Sequence, residues 1–168
     1  MVTKTDFSPE EWTKLKDAAH LTALAITASG SSGLWGTIKE GMSVSSALIE
    51  GMQADNPLLR QLCAREELEG VRNSLKARLE ELKGKKPEEA KSAIAAMALA
   101  DLQQAMAMLK SKGASTDLTA YSEFVRGMGR KVAEAAKEGG FLGFGGERIS
   151  EPERELLARL DTTISAAA

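Results

Sequence analysis

The sequence predicts an all-α fold, a single-domain bundle of five or six helices spanning residues 1–168, and three observations carry that reading. Apolar residues recur three and four apart along most of the chain. No run alternates apolar and polar residues with β-branched or aromatic enrichment, and aromatic residues make up only 4% of the chain. All four prolines sit just inside an expected helix start, where the missing N–H costs nothing and the fixed φ helps.

The first helix is expected over Pro9 to Ala28. Ser8-Pro9-Glu10-Glu11 is a capping-box pattern, with Glu three residues after Ser. Trp12, Leu15, Ala19, Thr22 and Ile26 form one stripe, with Ala18, Leu21 and Ala25 beside it, so this helix should be central. The second, over Leu34 to Gln53, is weakened by Gly36, Gly41 and Gly51 and by Ser43, Ser45 and Ser46. Asn56 caps a third over Pro57 to Lys83, with Leu68, Val71, Leu75, Leu79 and Leu82 on its core face and a possible break near Gly70. After the Lys83-Gly84-Lys85-Lys86 break a fourth runs over Pro87 to Ser111, with Ala95, Leu99, Leu102, Met106 and Leu109 inward. The fifth, over Asp117 to Glu138, has the cleanest stripe, Leu118, Tyr121, Val125, Met128, Val132 and Ala135. Ser150-Glu151-Pro152-Glu153 caps a sixth over Glu151 to Ser165.

Composition bounds the function. Twenty-two Lys and Arg against 24 Asp and Glu give a formal net charge of −2, without the positive excess that holds phosphate backbones, so no nucleic-acid partner is expected. A single cysteine, Cys63, offers no internal disulfide, and its simplest reading is a small buried hydrophobe in a reducing compartment. The opening Met1-Val2-Thr3-Lys4-Thr5-Asp6 has no apolar h-region, so the chain is expected to be cytoplasmic. The apolar stretch Ala18 to Ala28, interrupted by His20, Thr22 and Thr27, reads as a core helix and not a membrane span.

Catalytic and metal chemistries find few residues to work with. Nucleophilic catalysis needs an imidazole beside the nucleophile, and the one histidine, His20, lies in an apolar helix; an enzyme would have to use it with Asp17 on the same face. One Cys and one His fall short of the ligand sets of zinc or di-iron sites, so neither metal nor cofactor is expected. Glu66, Glu67, Glu69, Glu80 and Glu81 read as solvated helix faces.

Two glycine-rich apolar segments stand out. Gly139-Gly140-Phe141-Leu142-Gly143-Phe144-Gly145-Gly146 places large apolar side chains among five glycines, and Gly30-Ser31-Ser32-Gly33-Leu34-Trp35-Gly36 is a weaker echo. If both lie at one end of the bundle, Leu34, Trp35, Phe141, Leu142 and Phe144 form one apolar contact surface. The leading expectation is a non-enzymatic protein acting by protein–protein contact there. Plugging of the bundle end by the same rings, peripheral membrane contact and homo-oligomer formation stay open. The alternative is a small apolar ligand or lipid binder, with Met97, Met106, Trp35 and Phe144 lining a pocket.

Phe7-Ser8-Pro9-Glu10-Glu11-Trp12, the run through Leu24-Ala25, and Glu138 through the glycine segment to Glu147-Arg148-Ile149-Ser150 resemble a family of small bacterial all-helical proteins. That resemblance implies a bacterial cytoplasmic protein and carries no catalytic residue. Gly145-Gly146-Glu147-Arg148-Ile149-Ser150-Glu151-Pro152-Glu153 is also distantly similar to the helix entry of tellurite-resistance-associated helical domains. Those have an acidic residue where this chain has Gly145, so no metal ligand is carried over.

Overall fold

A computed structural model of the chain describes residues 1–30, 45–138 and 149–167, without the side chains of 45–47, 49 and 135–138. Among these residues there are seven α-helices and no strand, an all-α bundle. A 3-10 turn, Lys4–Asp6, precedes α1 (Pro9–Gly30), α2 (Ser45–Gln53), α3 (Pro57–Leu62), α4 (Glu67–Glu80), α5 (Pro87–Ser111), α6 (Ser115–Glu138) and α7 (Glu151–Ala167).

The expected helix starts hold because local chemistry fixes them. At α1, Ser8 Oγ accepts from the Glu11 N–H at 3.2 Å while Glu11 Oε2 accepts from the Ser8 N–H at 2.8 Å, closing the capping box. Asn56 Oδ1 accepts from the Leu59 N–H at the start of α3, and Glu153 Oε2 accepts from both the N–H and the hydroxyl of Ser150 ahead of α7. The α5–α6 corner turns on Gly113 at φ 65°, where the Ala114 N–H reaches the Leu109 carbonyl and the Gly113 N–H reaches that of Lys110. This pairing satisfies the last carbonyls of α5, and a left-handed φ at that position favours glycine.

The predicted third helix is two helices, and the break falls at Cys63–Glu66, not near Gly70. No glycine or proline marks it. Leu58, Leu59 and Leu62 are buried, and Asn56 Nδ2 donates to Asp117 Oδ1 at 2.8 Å, which fixes α3 at the start of α6. Glu67 must meanwhile reach Lys16 on α1. One straight helix does not serve both contacts, and tertiary packing overrides local helix propensity. The second helix is described only as Ser45–Gln53; the rest of its expected span lies outside the described residues.

α1 is the central element, packed along α5 and also against α4, α6 and α7. Its antiparallel pairing with α5 follows from Lys14 Nζ donating to Gln104 Oε1 and Lys112 Nζ bridging to Glu11. α6 runs alongside α1 in the same sense: the fully buried Tyr121 hydroxyl donates to the Leu15 carbonyl at 2.8 Å, and a Cβ added to Gly129 would stand 3.0 Å from Ile26 Cδ1. α7 returns antiparallel to α6, held by Arg126 Nε on Asp161 at 2.9 Å.

Leu102, Met106 and Leu109 of the expected stripe lie in the core of α5, together with Ala105, but over the first half of the helix the inward residues are Ala90, Ile94 and Ala98. Ala95 and Leu99 are only half-buried. Small alanines at 90, 98 and 105 let α5 approach α1 closely, and periodicity alone does not distinguish that face from its neighbour. α5 is also the one described helix long and apolar enough, by length and composition, to cross a membrane. Here it packs along α1 and α7.

Candidate functional site

The most chemically loaded region joins α1 to α4 and α5 through a row of partly and fully buried polar groups. Glu67 stands at its centre: Lys4 Nζ pairs with Oε1 and Lys16 Nζ donates to Oε2 at 2.5 Å. Glu67 is 8% exposed and Lys16 is 7% exposed, so the expectation of a solvated glutamate face fails at this residue. Burial pushes the Glu67 carboxyl up, but the two ammonium groups outweigh it and hold the carboxyl below its ordinary range. Lys4 also lies over the Trp12 ring, 5.8 Å from its centroid. A sequence signal existed in the spacing of Trp12 and Lys16 on one face, but their acidic partner comes from another helix, and spacing within α1 cannot identify it.

Further along the row the Ser74 hydroxyl bonds Asp17 Oδ2, and Arg78 pairs with Asp101. Asp17 is buried and its Oδ1 has no hydrogen-bond partner among the described residues. Burial pushes its carboxyl above the ordinary range, against the Ser74 hydrogen bond. His20 Nδ1 meets the Lys16 carbonyl at 2.9 Å, so Nδ1 carries the proton and Nε2 is left as an acceptor. That Nε2 is buried and also without a partner among the described residues. Asp17 and His20 therefore share no hydrogen bond, and the acid–base pair that an enzyme reading requires is not assembled in this structure.

Burial holds the His20 imidazole below its ordinary value, more than the Lys16 carbonyl raises it. A depressed folded value means that stability is fully present above the unfolded value and is lost as pH falls through the folded one. Wild-type stability should therefore decline on acidification below about pH 6.5. His20→Leu removes that step, so the difference in urea midpoint between wild type and variant should change with pH across this window; a constant difference would contradict the assignment. Asp17 contributes with the opposite sign, since its raised value gives stability at low pH that is lost as pH rises, and the paired comparison cancels it.

Cys63 is 1% exposed, and burial pushes its thiol up to about 12, so it is a protonated, packed side chain as expected. It closes on Gly51, where an added Cβ would overlap its Sγ and stand 3.0 Å from Phe124. No group of three or more metal-ligating side chains occurs among the described residues.

The five residues expected to form the contact surface, Leu34, Trp35, Phe141, Leu142 and Phe144, lie outside the described residues. The helix ends that flank them do not. α1 finishes at Gly30, and a Cβ there would overlap Oε1 of Glu153 in the first turn of α7. α6 runs in the same sense as α1 and finishes at Glu138, and α2 packs against its second half, where Lys131 pairs with Glu50. The described helix ends that flank residues 31–44 and 139–148 thus lie at one end of the bundle. Glu153 is 4% exposed there, and its Oε1 has no hydrogen-bond partner among the described residues.

The opposite pole is closed by the N-terminal residues. The Val2 N–H donates to the fully buried Asp117 at 2.8 Å, the Lys4 N–H donates to Gln61 Oε1 at 2.7 Å, and Lys112 Nζ donates to the Asp6 carbonyl at 2.9 Å. Phe7 is buried beneath Lys112, whose Nζ lies 4.9 Å from the ring centroid, and beside Trp12. Comparisons with protein-family models, curated proteins and solved structures find no match to this chain.

Proposed function

We propose that this chain acts by binding another protein through Leu34, Trp35, Phe141, Leu142 and Phe144, in the bacterial cytoplasm that the sequence resemblance implies. The observation that carries the reading is the convergence of the helix ends on either side of both glycine-rich segments. Contiguous apolar side chains on a protein of this size mark interaction sites, and glycine permits the close backbone turns that bring several of them together. The two poles differ in kind: one is sealed by charged and backbone hydrogen bonds, and the other holds the described helix ends that flank both apolar segments.

The ligand-binding alternative has less support. Met106 is fully enclosed in the core, with the Ser122 hydroxyl 3.8 Å from its sulfur, and Met97 is half-buried; Trp35 and Phe144 lie outside the described residues. A cleft between α6 and α7, lined by Val125, Gly129, Leu157, Leu160 and Ile164 with Arg126 and Asp161, holds about 40 Å³. That cleft is smaller than the roughly 300–1,000 Å³ of pockets that take drug-sized ligands.

The test is affinity capture followed by reconstitution with the purified partner, comparing wild type with Phe141→Ser/Phe144→Ser. The double variant should keep its circular dichroism and weaken binding by about 2 kcal/mol or more, some thirtyfold. Equal binding by a folded double variant would refute the proposal.

A further inference from the structure

We infer that the outward face of α5 is a self-association surface on which a second copy of this chain docks antiparallel. α5 is the most apolar long helix among the described residues, with a mean hydropathy of 1.3 over an 18-residue window, yet only 33% of that window is buried inside the chain. Its inward face is consumed by α1 and α7. The face left over runs through Glu89, Ser92, Ala96, Ala100, Gln103, Ala107 and Lys110, all exposed. From Ser92 to Ala107 it carries no charge, and its small side chains allow another helix to approach closely.

The charges at its two ends decide the occupant. Glu89 sits at the N-terminal end and Lys110 at the C-terminal end, roughly 31 Å apart at 1.5 Å per residue. Neither has an oppositely charged side chain paired with it among the described residues; Lys110 Nζ makes only an exposed hydrogen bond to the Ala167 carbonyl at 3.1 Å. A twofold axis passing between Leu99 and Ala100 superposes this face on itself in the reverse sense. It sets Glu89 against the second copy's Lys110, Ser92 against Ala107, and Ala96 against Gln103. The arrangement is isologous, so each ion pair forms twice. The same face laid in parallel would set Glu89 on Glu89 and Lys110 on Lys110. The charge order therefore selects a second copy and its direction.

One helix face against another buries less than the 1,200–2,000 Å² of a standard interface, so the dimer should be concentration-dependent. Sedimentation velocity from about 1 μM to about 1 mM spans the relevant affinities. The wild type should shift from monomer to dimer within that range, and Ala100→Glu, which puts like charges at the axis, should raise the dissociation constant at least tenfold. Glu89→Lys and Lys110→Glu should each weaken the dimer, while the combined swap restores it, because the reversed charges pair again. All these positions are solvent-facing, so folding is retained and is checked by thermal melts. A monomer throughout, a dimer indifferent to Ala100→Glu, a double swap weaker than either single change, or a monomer that instead sediments with phospholipid vesicles would overturn the inference.

Discussion

Glu67→Ala should destabilise the protein by about 3–5 kcal/mol, because it removes the counter-charge from an ammonium that the fold has already taken out of water. Lys16 is 7% exposed and donates to Glu67 Oε2, while Lys4, at the other oxygen, is more than half exposed and can recover solvent. The cost therefore resides in Lys16. Replacing both buried partners, Lys16→Met with Glu67→Leu, should return stability to within about 1 kcal/mol of wild type, since a packed apolar pair avoids the desolvation of two ions. Chemical denaturation of wild type, Glu67→Ala and the double variant tests this: a double variant no more stable than Glu67→Ala would contradict it. The acid limb carries the same signature. The Glu67 carboxyl is held below its ordinary range, so its stabilisation is present above the unfolded value, about pH 4.3, and is lost as pH falls through the folded value. Glu67→Ala should flatten that part of the profile.

Leu102→Ala should cost about 2–5 kcal/mol, the range for emptying a closed core site, whereas Leu99→Ala, three residues away on the same helix, should cost clearly less. Leu102 is fully enclosed at the contact of α5 with the rest of the core, and Leu99 is half-buried at the edge of the outward face. Both are leucines in one helix, so propensity cancels between them and the comparison reads burial alone. Equal urea midpoints for the two variants would place the core of α5 on the wrong face.

This pair also shows where sequence reading runs out. Prolines at 9, 57, 87 and 152 and the caps at Ser8, Asn56 and Ser150 act within one turn, so the sequence reveals where those helices begin. Which face of an alanine-rich helix turns inward depends on what approaches it; Ala90 and Ala98 allow close approach to α1 because they are small, a property shared by Ala96 and Ala100 on the opposite side. The break at Cys63–Glu66 is invisible for a similar reason, since competing tertiary anchors at Asn56 and Glu67 impose it. The buried row along α1 is half legible: Asp17 and His20 stand out on α1, but Ser74, Arg78, Asp101 and Glu67 come from other helices, and spacing within one helix does not reveal which side chain of another it meets.

The bundle has one pole sealed by Phe7, Lys112 and Asp117 and another to which both glycine-rich segments attach. Hydroxyl-radical footprinting read residue by residue by mass spectrometry tests the proposed role of the second pole most directly, because Trp12 and Tyr121, at 3% and 0% exposure, supply protected aromatic references within the same molecule. Trp35, Phe141 and Phe144 should be oxidised close to the intrinsic rates of their side chains and become protected when the partner binds. Protection in the unbound protein equal to that of Trp12 and Tyr121 would mean that the rings are covered by their own chain and have nothing left to offer a partner.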